Sequence, residues 1–168
     1  MKLSELFVAE LDREAQGTRR VLERVPEGRD DWKPHPKSMP LGTLANLVAS
    51  MPSWITMMIE MDELDIAPPG EKKYEQAKLR TAKELVKAHD ECVDKARAAL
   101  KGVSEEHLMK IWSLKAGGRV MDEKPRHIMI RDGVLNHLAH HRGQLTVYLR
   151  LNDAKVPPVY GPTADEQE

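Results

Sequence analysis

Apolar residues recur close to every 3.6 positions along almost the whole chain, a period that predicts helices rather than strands. The first helix is predicted from about Leu3 to Glu23. Leu3, Phe7, Leu11, Ala15, Thr18 and Leu22 form its inner stripe, and Pro26-Glu27-Gly28 stops it. A polar loop with Trp32, Pro34 and Pro36 follows. The second helix is predicted to start near Ser38, with Ser38 as N-cap and Pro40 in the first turn. Its buried face reads Leu44, Leu47, Val48, Met51, Trp54, Ile55 and Met58. Pro52 falls inside that pattern, where it either kinks the helix or breaks it.

Residues 62–80, with Pro68-Pro69-Gly70 and then a charged stretch, read as a linker. Thr81-Ala82-Lys83-Glu84 has the form of a capping box and opens a third helix that ends near Leu100, before Gly102. Leu85, Ala88, Cys92, Ala96 and Leu100 face inward. Ser104-Glu105-Glu106 caps a short helical turn carrying Leu108, Ile111 and Trp112. Gly117-Gly118 marks an irregular or hairpin connection over 113–123. Pro125 opens a fourth helix reaching Leu151, with Ile130, Val134, His137, His141, Leu145 and Tyr148 as its stripe, and a Pro-rich tail from Val156 follows. Four main helices with long connections predict an all-α, four-helix bundle over residues 1–168, read as one domain.

Composition narrows the choice of function. The 26 basic and 27 acidic residues are well mixed and leave a net charge of −1. That balance predicts no nucleic-acid partner and no anionic-membrane footprint. One Cys excludes an internal disulfide and fits a reducing cytoplasm. With no signal-like start and no apolar run near ~20 residues, a cytoplasmic location is expected and a membrane partner is not. Nine Met against one Phe, three Trp and three Tyr predict an aliphatic, Met-rich helical core. Trp54, Ile55, Met57, Met58 and Met61 wrap more than one face of the second helix, which predicts a homodimer through that helix.

The segment Asn136-His137-Leu-Ala-His140-His141-Arg-Gly-Gln144 carries the candidate chemistry. His137 and His141 are four apart, so a helix places both rings on one face, ~6 Å apart at Cβ. Two imidazoles there supply half of a four-coordinate metal shell. A lone pair of this kind is more often a core residue beside a surface one. These two, however, share a stripe with Val134 and Leu145, where each needs a partner or a metal. His140 lies about 100° round the helix and reads as a neighbour rather than a ligand. His35, His89, His107 and His127 read as solvated. Arg142 and Arg150 read as a solvated face or ion-pair partners, Gly143 as a helix-packing position, and Cys92 as an inert buried thiol.

Three stretches resemble the DinB/YfiT-like family of helical-bundle proteins: Leu41-Gly-Thr-Leu-Ala-Asn-Leu-Val-Ala-Ser-Met-Pro-Ser-Trp54, His137-Leu-Ala-His-His141-Arg-Gly-Gln-Leu with Tyr148-Leu-Arg150, and Val156-Pro-Pro-Val-Tyr-Gly-Pro-Thr-Ala-Asp-Glu166. The resemblance implies a four-helix bundle, commonly a dimer, holding zinc or nickel through three histidines. Two of the implied ligands match His137 and His141. The third implied position is Leu47, which cannot ligate, so the implied site is incomplete and metal binding is expected to be weak or absent. Asn46 and Ser50 nearby are poor substitutes. His140, Gln144 and Tyr148 are the expected neighbours of the site. The resemblance also implies a metal-dependent transferase of low-molecular-weight thiols of the bacillithiol or mycothiol kind, or a related hydrolase. The rival expectation is a non-catalytic, stress-related binding protein that has lost this chemistry.

Overall fold

The first helix forms where its stripe predicts. In the computed structural model, which describes residues 2–70 and 78–167, α1 runs Leu3–Leu22 and buries Phe7, Leu11, Thr18 and Leu22. The first N–H groups of a helix have no partner inside it. Here the Glu105 carboxylate supplies one from across the molecule, accepting from Leu3 N at 2.9 Å and Ser4 N at 3.3 Å.

The second helical rod is broken rather than kinked. α2 spans Leu41–Ser50 and α3 spans Ser53–Glu60, separated at Met51-Pro52, where Trp54 N turns back to Met51 O. Ser38 is not the cap: Pro40 holds that position, and Ser38 N closes a tighter turn onto His35 O. Ile55 and Met58 are buried and Trp54 and Met57 half-buried, so of the apolar residues predicted to form a dimer face only Met61 is well exposed. The core of this chain uses most of that face.

The capping box at Thr81 forms as predicted. Glu84 N donates to Thr81 Oγ1 at 3.2 Å, the Glu84 carboxylate accepts from Thr81 N at 3.0 Å, and α4 runs Ala82–Gly102. Ser104 caps α5, Glu105–Met109, by accepting from His107 N.

The expectation of an all-α chain is corrected by a small mixed sheet. β1 (Glu63–Asp65) pairs parallel with β2 (Ile111–Ala116), and β2 pairs antiparallel with β3 (Arg119–Pro125). Gly117 and Gly118 hold φ of +61° and +77°, the backbone that a tight hairpin needs at both central positions. β1 is three residues long, too short to show an alternating pattern within the predicted linker. Its end is pinned by the Asp65 carboxylate, which accepts from the N–H groups of Ala67, Gly117 and Gly118 at 2.9, 2.9 and 2.6 Å. Residues 71–77 of that linker lie outside the described residues.

The C-terminal rod is not one regular helix. α6 (Arg126–Ile130) passes through a π-helical segment (Arg131–Asn136) into α7 (His137–Leu151). A π turn takes in an extra residue and so re-aims every side chain that follows it. α1, α2–α3, α4 and α6–α7 pack around two apolar clusters. One joins α2, the start of α4 and α7; the other joins α3, the far half of α4, α6 and Trp112 of the sheet. Trp54 packs against both.

One buried cation ties the second cluster together. The Arg126 guanidinium is fully buried. It donates to the carbonyls of Met58, Met61 (3.0 Å) and His107 (3.2 Å) and to Asp62 Oδ1 (2.7 Å). Met58 and Met61 stand at the C-terminal end of α3, where helix carbonyls lack partners and a positive charge is favoured. Arg126→Met keeps the bulk and removes every donor. The expected loss is about 3 kcal/mol, read as a lower denaturation midpoint.

Three histidines expected to be solvated are not. His107 Nε2 lies 2.9 Å from Ile59 O, and His127 Nδ1 lies 3.1 Å from Leu108 O. His89 is fully buried, with Nε2 3.4 Å from Ala15 O on α1 and the Ala49 backbone of α2 within reach. Burial pushes the pKa of His89 below its ordinary 6.5, against the backbone carbonyls and Asp90 that favour the charged ring. The unfolded chain therefore takes up a proton near pH 6.5 that the native state resists, and stability falls as pH drops through that value. The expected slope reaches about 1.4 kcal/mol per pH unit at most. Thermal melts between neutral and mildly acidic pH should show it, and His89→Leu should flatten it.

Candidate functional site

His137 opens α7 directly after the π segment, and that turn sets where the ring points. Gly133, inside the π segment, lies beside Met58 of α3: a Cβ at position 133 would stand in ordinary van der Waals contact, 3.4 Å from Met58 Cε. α3 therefore lies close, and the Trp54 indole reaches the His137 ring at 6.0 Å between centroids. His141 follows one turn later, its ring centroid 4.5 Å from that of His137. His140 is exposed on the outer side, 5.0 Å from His141 and 6.4 Å from His137.

The Gln144 amide links two of these rings. Gln144 Oε1 accepts from His141 Nδ1 at 2.8 Å, and Gln144 Nε2 donates to His140 Nε2 at 3.1 Å. With the amide in this orientation, His141 carries its hydrogen on Nδ1 and has a free lone pair on Nε2, whereas the Nε2 lone pair of His140 is already used. Burial lowers the pKa of His137, and the neighbouring His141 and His140 add to that, against a hydrogen bond to the Gly133 backbone. The structure thus brings His137, His140, His141 and Gln144 together.

Tyr148 lies elsewhere. It is buried two turns further along α7, its hydroxyl donates to Met39 O at 3.1 Å, and its ring stands edge-on to Trp32 at 5.5 Å.

The implied metal site has two of its three ligand positions filled by imidazoles and the third by Leu47. His137 and His141 have the right chemistry, and their backbone and amide partners are of the kind that orient ligating imidazoles. Leu47, at the position where a third nitrogen is implied, is half-buried and packs against the α2–α7 apolar cluster. Asn46 cannot stand in. Its amide donates to Gly42 O (2.8 Å) and Leu79 O (2.9 Å) and accepts from Leu79 N (3.0 Å), clamping the chain ahead of α4 onto α2. Among the described residues, no group of three or more His, Cys, Asp or Glu side chains is arranged to hold a metal. What remains is a pair of imidazoles beside an indole, able to accept hydrogen bonds next to an apolar wall.

Arg142 is not a solvated cation. It is buried next to His141 in sequence, about 100° further round α7. It ion-pairs with Glu14 at 2.6 Å and donates to Glu14 O and Thr18 Oγ1, both at 3.1 Å, and to the Tyr160 hydroxyl. Arg150 pairs with Asp165 at 2.7 Å. Cys92 is half-buried, and burial raises the pKa of its thiol, which matches the inert role expected of it. Sequence reasoning missed Trp54 as a site residue and missed the π turn. The glycine at position 133, within an otherwise strong helix pattern, was the one available signal for the second.

No curated protein matches the chain. Solved structures share its fold. A DinB-like protein from Bacillus cereus ATCC 10987 superposes with a TM-score of 0.68 at 22% identity, over 93% of this chain and 97% of that one. A DinB-like protein from Bacillus subtilis gives 0.69 at 19% identity, over 96% and 98%. The profile of the DinB family matches residues 1–168, and the chain belongs to that family.

Proposed function

We propose that this DinB-family protein, built on the family's four-helix-bundle plan, binds a small molecule on the His137–His141 face without a resident metal. The ligand class that suits the face has a weakly acidic hydrogen, as in a low-molecular-weight thiol, beside an apolar body. The Nε2 lone pair of His141 would accept the hydrogen. The Trp54 indole would pack the apolar part. The observation that carries this reading is Leu47: the direction from which a third nitrogen would come is apolar and belongs to the core cluster.

A second reading keeps the zinc- or nickel-dependent thiol transferase or hydrolase. The hydrogen bond that turns Nε2 of His141 free, as a ligating ring requires, favours it.

Metal binding separates the two. Protein purified without a histidine tag should carry no stoichiometric zinc or nickel, and either ion should raise its melting temperature little. Leu47→His places an imidazole in an apolar contact, at a cost of ~1–3 kcal/mol without metal. Added metal should recover that loss, because a ligand held only by the folded state stabilises it by mass action. His137→Ala in the same background should abolish the gain. Stoichiometric metal on the wild type, with metal-dependent thiol transfer, would establish the second reading instead.

A further inference from the structure

We propose that the cavity between the C-terminal ends of α3 and α4 binds a small primary amine, taken as an ammonium head on an apolar body. The cavity has a volume of about 440 Å³. Ile59, Ala98, Ala99 and Val103 give it apolar walls, and Glu60, Ser104 and His107 bring polar groups to it. Small-molecule sites share this make-up, an apolar lining with a few convergent polar groups.

The way α4 ends sets the charge of the cavity. Helices commonly close on a glycine in the left-handed conformation, whose turn brings N–H groups back to the last carbonyls. Gly102 is placed for that turn but keeps a helical backbone as the last residue of α4, and Val103 continues extended. Among the described residues, no N–H group therefore reaches the carbonyls of Ala99, Leu100, Lys101 and Gly102. Such oxygens carry the partial negative charge of a helix end.

Glu60 adds a full negative charge. It is exposed, and among the described residues its carboxylate has no ion pair. His107 Nε2 donates to Ile59 O at 2.9 Å, which leaves a lone pair on Nδ1 of the neutral ring. No Lys or Arg lines the cavity. Its polar groups thus converge as acceptors with no cation among them. An anionic ligand would meet like charge there, whereas an ammonium with three donors can be shared between Glu60 and the helix end. The neighbouring cavity across Val103 and Ser104, of about 510 Å³, lacks this property, because Lys2 and Lys101 line it.

Gly102 also leaves room. A Cβ built there meets no atom within 4 Å, and the helical backbone asks for no glycine. None of the lining residues belongs to the histidine face, so the proposal stands whether or not that face binds a ligand.

The test is an amide NMR titration of the full chain with benzylamine, alongside benzyl alcohol and benzoate, which share its body and differ in charge. Benzylamine should give saturable shifts in the millimolar range at Glu60, Gly102, Val103 and Ser104, and none at His137 or His141. Benzoate should not bind. Benzyl alcohol should bind about tenfold more weakly, and Glu60→Gln should weaken benzylamine by about the same factor. Gly102→Leu should abolish binding by filling the space, with helicity and melting showing that the fold is kept. The absence of saturable shifts at these residues overturns the proposal. So does equal binding of benzyl alcohol, or benzylamine binding left unweakened by Glu60→Gln or by Gly102→Leu.

Discussion

The carbonyl groups at the C-terminal end of α3 have no partners within their own helix, and the buried guanidinium of Arg126 supplies them. That interaction fixes more than a helix end. Arg126 is the first residue of α6, and its own N–H donates to Lys110 O just before β2. A single side chain therefore holds the end of α3, the turn into β1 and the start of the C-terminal rod in one arrangement. A planar cation with five donors suits this task, because each carbonyl approaches from a different direction.

A second clamp acts on α7 from the other side. Arg142 reaches α1, and Tyr160, carried by the C-terminal tail, closes over it by donating to the same Glu14 carboxylate at 2.7 Å. Gly17 permits this approach: a Cβ there would stand 3.0 Å from Val159 Cγ1 of the tail. Arg150 with Asp165 and Arg24 with Glu166 tie down the rest of the tail. α7 is thus braced against α1 and the tail on one side and α2 on the other. Its histidines stand on a packed helix rather than on a loop, the placement that holds a site most firmly.

The histidine face combines features that pull in different directions. Gln144 orients His141 as a ligating ring would be oriented, yet Trp54 of α3 packs beside His137 and Leu47 of α2 packs against the apolar core. A buried polar or charged group without a partner is costly, and the face avoids that cost by linking its imidazoles to an amide and a backbone carbonyl. What the face presents outward is hydrogen-bond acceptance against an apolar surface. No helix among the described residues is long and apolar enough to cross a membrane.

The helices were legible in the sequence because each buries one stripe at a fixed period. The bounds of α1, the Thr81 capping box, the Ser104 cap and the Gly117-Gly118 turn all follow from local rules that need no distant partner. The pairing of His137 with His141 is legible for the same reason, since i, i+4 spacing is a property of one helix. Tertiary structure decided what depended on distant residues. β1 exists because Asp65 finds N–H groups across the hairpin, not because three residues prefer to be a strand. The sequence reads His89 as solvated and Arg142 as a solvated face or an ion-pair partner; only the crossing of α1, α2 and α4 draws His89 inside, and only the Glu14 carboxylate decides for the ion pair. The π turn before His137 breaks the 3.6 period in favour of packing against Met58. The sequence determined which residues could act, and packing between helices determined which of them meet.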